Sequence, residues 1–200
     1  MPFGLKKIDY ELVTLLNDDV DTPTDLIGAK MVPILKKNDG SVMAESLEIV
    51  RYLDESSGDG AALAESANRQ DLQNWMDNAG LNPLTMPRWV QAPLLEFATP
   101  GSGAYFTEKK EAGIGPFREH LDNSAALKSE LNGKLQTLGT LIKAPDAVNG
   151  ELSYDDILLF GHLRGITIIG GLDYPATVRD YLDTMSGQSG VPLYDAIAID

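Results

Sequence analysis

The chain has 200 residues, a net charge of −14 and no cysteine. The acidic excess sets up a long-range field that repels nucleic acid and anionic membrane surfaces, while a small anion still responds to local donors. Without cysteine these residues offer no disulfide, no zinc–thiolate site and no thiolate nucleophile. No apolar run approaches the roughly 18–20 residues that a membrane-spanning helix needs. The opening MPFGLKK lacks the basic lead, apolar stretch and small-residue cleavage site of a secretion signal. A soluble, cytoplasmic protein is expected.

Residues 10–16, YELVTLL, are rich in strand formers and weakly alternating, which predicts a strand. The polar stretch after it holds turn and capping residues, among them Asn17, Asp18, Asp19 and Pro23. Residues 32–37 and 41–44 flank Asn38-Asp39-Gly40 and read as a hairpin, because Asp-Gly readily supplies the positive φ of a tight turn. A helical period follows, with Ile49 and Leu53 as an i, i+4 pair.

A short Ser/Gly linker at 56–60 separates this α/β unit from sequence without a convincing strand. Helices are predicted there over 68–79, 85–97, 101–112, 124–143, 153–169 and 175–186. Leu127, Leu131, Leu135 and Leu138 stripe the fourth. The fifth is apolar nearly all round, so it is expected to be the central buried helix. The last places Pro175 in its first turn ahead of Val178, Tyr181, Leu182 and Met185. The expected fold class is α/β followed by all-α.

A few residues invite a chemical reading. Pro33 cannot donate to a sheet, so Val32-Pro33 marks an edge, a strand start or a cis turn, and a trans strand start is the commonest of these. Glu45-Ser46 stands where a strand gives way to a helix. The unpaired N–H groups and positive dipole end there suit a carboxylate, Ser46 adds a hydroxyl, and Glu45 offers a partner to an ammonium group. Simple N-terminal capping explains the same pair. Ser153 and Asp156 form a structural cap ahead of the most apolar helix, with Leu152 and Ile157 as its hydrophobic staple.

His120 and His162 share no ligand spacing and read as surface or core residues. The acids at 17–21 lack the remaining ligands and glycine of a calcium loop, so no metal is expected. Trp75, Trp89, Tyr105 and Phe106 read as helical core. There is no Gly-rich phosphate loop and no nucleophile elbow.

Taken in order, LKKIDYELVTLLNDDVDTPTDLIGAKMVPILKKNDG, MAESLEIVRYLD, PRW with EFATP and YFTEKKEA, and AVNGELSYDDILLF resemble the bacterial glutaredoxin 2 family over essentially the whole chain. These are glutaredoxins built like glutathione transferases. The resemblance implies a thioredoxin-like first domain at 1–57 and a glutathione-transferase-like helical domain at 66–200. It also implies a glutathione site. Pro33 is then cis, Val32 offers its backbone to the cysteinyl residue, and Glu45 and Ser46 hold the γ-glutamyl end. Lys30 falls near the glycine carboxylate. Glutathione, and through it glutathionylated proteins, are the implied partners of a monomer.

The departure from the family lies at the start. A member opens with a strand and Cys-Pro-Tyr-Cys, followed by the helix whose latter part MPFGLKKI resembles, so the first domain is expected to be truncated. The expected strand would lie between residues 10–16 and 32–37, and its absence leaves those edges unpaired. That domain is therefore expected to be strained, partly open or filled by another chain, with the helical domain carrying most of the stability. No residue here replaces the thiolate of thiol–disulfide exchange, and none is placed to activate the glutathione thiol toward electrophiles. The expected function is that of a glutaredoxin-2-like protein with a glutathione cradle and no redox cysteine. A non-catalytic glutathione-binding protein or a helical interaction protein is the alternative.

Overall fold

The computed structural model describes residues 1–56 and 62–200. Pro2–Leu5 forms a short helix, α1, and Asp21–Ile27 forms α2, which ends on Gly28 in the left-handed region at φ 78°. Ile34–Lys36 (β1) and Val42–Ala44 (β2) pair antiparallel, and Ser46–Ser56 follows as α3. The helical part holds α4 (Gln70–Asn78), α5 (Asn82–Trp89), α6 (Pro100–Ile114), α7 (Phe117–Asp122), α8 (Ser124–Gly139), α9 (Tyr154–Ile166) and α10 (Ala176–Ser189). The architecture is an α/β unit with a two-stranded sheet followed by an all-helical one. The linker expected at 56–60 lies, beyond Ser56 in α3, outside the described residues.

Residues 10–16 differ from the expected strand. They run without helix or ladder, and Leu12 and Val13 are 77% and 68% exposed. Strand propensity alone cannot hold a strand, because the ladder needs a neighbour to supply hydrogen bonds and a face to cover. Residues 21–27 are helical where sequence suggested only polar turns. The Thr22 N–H donates to Asp19 Oδ1 at 2.9 Å, so the same short acidic side chains start a helix.

The helix expected over 85–97 is two elements. It stops at Trp89 and resumes as a single 3-10 turn over Leu95–Phe97. Pro93 explains the break, since it lacks an N–H and biases Ala92 away from helical backbone. Helix α7 was not legible as a separate element. It follows the Gly115–Pro116 break, with Gly115 at φ 88° and Glu111 Oε1 accepting from the Phe117 N–H at 2.7 Å.

The core sits where α8, α9 and α10 meet. Leu135, Leu138, Leu159, Leu163, Ile166, Val178, Leu182 and Met185 are fully buried there. Each such side chain contributes roughly 1.5–3 kcal/mol of transfer free energy. Helix α9 is capped by Asp156, whose Oδ2 accepts from the Ser153 N–H at 2.8 Å and from its hydroxyl at 3.0 Å. Asp156 Oδ1 also accepts from the Val148 N–H at 2.7 Å and from Tyr181 Oη at 3.0 Å. Burial nevertheless raises the Asp156 carboxyl above the ordinary aspartate value, against the pull of those hydrogen bonds.

Asp155, beside it, accepts from Ser66 Oγ at 2.6 Å and from the Ala67 N–H at 3.0 Å, which ties the segment entering the helical part to the start of α9. At the other end, α1 lies against α10. A Cβ on Gly4 would fall 1.7 Å from the Ser189 carbonyl oxygen, so only glycine permits that approach. Lys6 and Asp54 form an ion pair between the end of α1 and α3.

Candidate functional site

The β1–β2 register decides the geometry. Ile34 pairs with Ala44, so the residues just outside the ladder, Val32-Pro33 on one strand and Glu45-Ser46 on the other, are brought side by side. The Val32–Pro33 peptide is cis. Val32 is 65% exposed, and neither its N–H nor its C=O has a hydrogen-bond partner among the described residues. It presents one donor and one acceptor on extended backbone, the pattern that pairs with another peptide.

Glu45 takes a left-handed backbone at φ 69°, which turns the chain abruptly from β2 into α3. Its carbonyl accepts the first helical bond, from the Ile49 N–H at 3.0 Å. The N–H groups of Ser46, Leu47 and Glu48 are therefore the unpaired first turn of an 11-residue helix. The Glu45 and Ser46 side chains are exposed and make no hydrogen bond or ion pair among the described residues. An exposed peptide backbone thus stands next to a helix start that favours a carboxylate, with a free carboxylate beside it for an ammonium group.

Lys30 is placed differently from a free lysine. Its ammonium donates to the Asn17 carbonyl and stands 3.7 Å from the centroid of the Tyr105 ring on α6. Tyr105, read from sequence as core, is instead a half-exposed ring. Lys109, one turn further along α6, stands 4.5 Å from the centroid of the same ring. Hydrogen bonding to Lys109 and Lys30 lowers the Tyr105 phenol below the ordinary tyrosine value. The Tyr105/Lys109 i, i+4 spacing was the available sequence signal, but nothing local pointed it at Lys30.

Ser46, Leu47 and Val50 of α3 also form one wall of a cleft of about 610 Å³, faced by Asp77, Trp89 and Ile157 among others. That cleft accounts for the apolar side of α9 that the core does not cover. His162 lines the α9 side of the cleft, exposed, and accepts or donates only to its own helix at the Leu158 carbonyl. His120 bonds the Ile114 carbonyl at 2.7 Å. Among the described residues no three His, Asp or Glu side chains converge as metal ligands, and no helix is long and apolar enough to cross a membrane.

A family model described as the C-terminal domain of glutaredoxin 2 matches residues 71–198. The chain belongs to the glutaredoxin 2 family. A second model, the glutathione S-transferase N-terminal domain, matches residues 3–56. Glutaredoxin 2 from Escherichia coli K12 and that from E. coli O157:H7 are each 43% identical over 201 residues, covering all of this chain and 93% of theirs. The crystal structure of glutaredoxin 2 from Salmonella typhimurium in complex with glutathione superposes with a TM-score of 0.94 at 43% identity, over 98% of this chain and 90% of that one. A glutathione transferase from Phanerochaete chrysosporium shares the fold at a TM-score of 0.59 and 15% identity, over 94% and 87% of the two chains. As a glutaredoxin 2 family member, the chain joins a thioredoxin-like unit to a glutathione-transferase-like helical one. Its 200 residues contain no cysteine.

Proposed function

We propose that this chain supplies the glutathione cradle of a glutathione-dependent thiol–disulfide oxidoreductase of the glutaredoxin 2 kind. The observation that carries the reading is the hairpin register, which sets the unpaired Val32 backbone beside the open start of α3. Glutathione is an extended peptide with a zwitterionic γ-glutamyl end. Its cysteinyl backbone pairs with Val32 next to Pro33, its γ-glutamyl carboxylate takes the first-turn N–H groups and hydroxyl of Ser46, and its ammonium faces Glu45. Lys30 stands on the side of the glycyl carboxylate. The crystallised relative with glutathione supports the ligand class.

The chain's own residues bind and orient the ligand and supply no nucleophile, because exchange requires a thiolate and none is among them. The partners in this reading are glutathione and proteins carrying it as a mixed disulfide, met by a monomer built of units at 1–57 and 66–200. Isothermal titration with reduced glutathione tests it. The parent chain is expected to bind, Glu45→Ala to lose about tenfold through removal of the ammonium partner, and neither to reduce a mixed disulfide above background. No binding by a folded parent chain, or undiminished binding by Glu45→Ala, overturns the cradle.

A further inference from the structure

We propose that Tyr105 and Lys109 of α6 join Lys30 in a carboxylate site for the glycyl end of glutathione, so that the helical domain selects the intact tripeptide. The proposal rests on the cradle reading above and extends it to the ligand's other end.

A linear tripeptide with its γ-glutamyl end at Ser46 and its centre at Val32 must leave Val32 on the side away from Ser46. Lys30 lies two residues before Val32, about 7 Å of extended chain. One further residue of ligand spans about 3.5 Å of that distance, and the lysine side chain reaches over the rest. The Lys30 ammonium has three donors, and the Asn17 carbonyl takes one. Lys109 comes to the same ring from α6, and the two lysines together lower its phenol below the ordinary tyrosine value.

Among the described residues, no carboxylate closes an ion pair on the cluster. In a chain with 30 acidic and 16 basic residues, neither Lys30 nor Lys109 makes an ion pair with a carboxylate among the described residues. Asp19, in the turn beside Asn17, accepts from the Thr22 N–H and feels the Lys30 charge more weakly, without an ion pair to it. Two ammonium groups and a phenol hydroxyl on one half-exposed ring form a fork of donors that a ligand carboxylate completes. The ordinary alternative, a pair of surface lysines lying on an aromatic ring, predicts no preference between ligands with and without that carboxylate.

The test compares two probes on the full chain by isothermal titration, glutathione and the dipeptide γ-glutamylcysteine, which lacks the glycine. The parent is expected to prefer glutathione. Lys109→Gln and Tyr105→Phe are each expected to weaken glutathione about three- to tenfold, the range of a partly exposed charge-assisted contact, while the dipeptide changes by less than about twofold. Circular dichroism checks that each variant is folded. Glutathione bound by the parent no better than the dipeptide, or both probes weakened equally by Lys109→Gln, overturns the glycyl site and leaves the cradle standing. Binding of neither probe to the parent overturns both.

Discussion

Replacing Asp156 by alanine removes the acceptor around which the start of α9 is organised. The side chain is fully buried and serves the Val148 N–H at 2.7 Å, the Ser153 N–H at 2.8 Å and Tyr181 Oη at 3.0 Å. Each buried donor left without a partner costs about 1–3 kcal/mol. Leaving aside the Ser153 hydroxyl, a fourth donor at 3.0 Å that can rotate to another acceptor, these three would cost roughly 3–9 kcal/mol if none found another acceptor. Two effects reduce the sum: water enters the space vacated by the carboxylate, and removing a buried charge removes its desolvation penalty. That penalty is real here, because burial raises the carboxyl's pKa in spite of its hydrogen bonds. The expected loss is about 3–4 kcal/mol, a large share of the roughly 5–15 kcal/mol that holds an ordinary domain together. Urea unfolding followed by far-ultraviolet circular dichroism reads it as a shift in midpoint. Tyr181→Phe, which removes a single hydrogen bond, should cost about 1 kcal/mol in the same assay. A loss below about 1 kcal/mol for Asp156→Ala would refute the accounting, since one orphaned donor alone should exceed it.

Hydrogen exchange should separate the two parts of the chain. Amides of residues 10–15 have no backbone acceptor among the described residues and should exchange within the first time points, while those of Leu159, Leu163 and Ile166 should be the slowest. Equal protection of the two segments would show that residues 10–15 are held by contacts the fold does not display. The pH dependence of stability should carry the Asp156 signature. Its folded pKa is raised above the 3.8 of the free group, so ionisation at neutral pH opposes folding. That cost disappears as pH falls through the folded value toward the unfolded one. The stability of the parent relative to Asp156→Asn should therefore rise on acidification from neutral toward pH 4, and urea midpoints measured in parallel check the sign. A difference that stays flat or falls would contradict it.

How far the sequence carried depends on the range of the interaction that places each feature. The α8 and α10 stripes and the Ser153–Asp156 cap were legible because their partners lie within a turn or two of helix. Residues 10–16 misled for the opposite reason. Their strand formers state a preference that only a paired neighbour can realise, and none is present among the described residues. The break at Pro93 was in plain view, yet the apolar period on either side outweighed it in the reading of 85–97.

The candidate site divides along the same line. Pro33, Glu45 and Ser46 each carried a local signal that plain secondary structure also explained, and family resemblance alone raised them together. Their juxtaposition is the work of the Ile34–Ala44 register. Lys30 and Tyr105 lie far apart in the chain, and no helical or strand period relates them.

By itself, then, the sequence determined the acidic charge, the largely helical second half and the lack of a thiol among these residues, because composition and short-range periodicity are local facts. Only the tertiary structure decided which of those residues meet. The cis peptide at Pro33, the turn at Glu45 and the docking of α6 against Lys30 place separate backbone and charged groups around one exposed strand end. Contacts between distant segments depend on how whole elements pack, and no stretch of sequence specifies that alone.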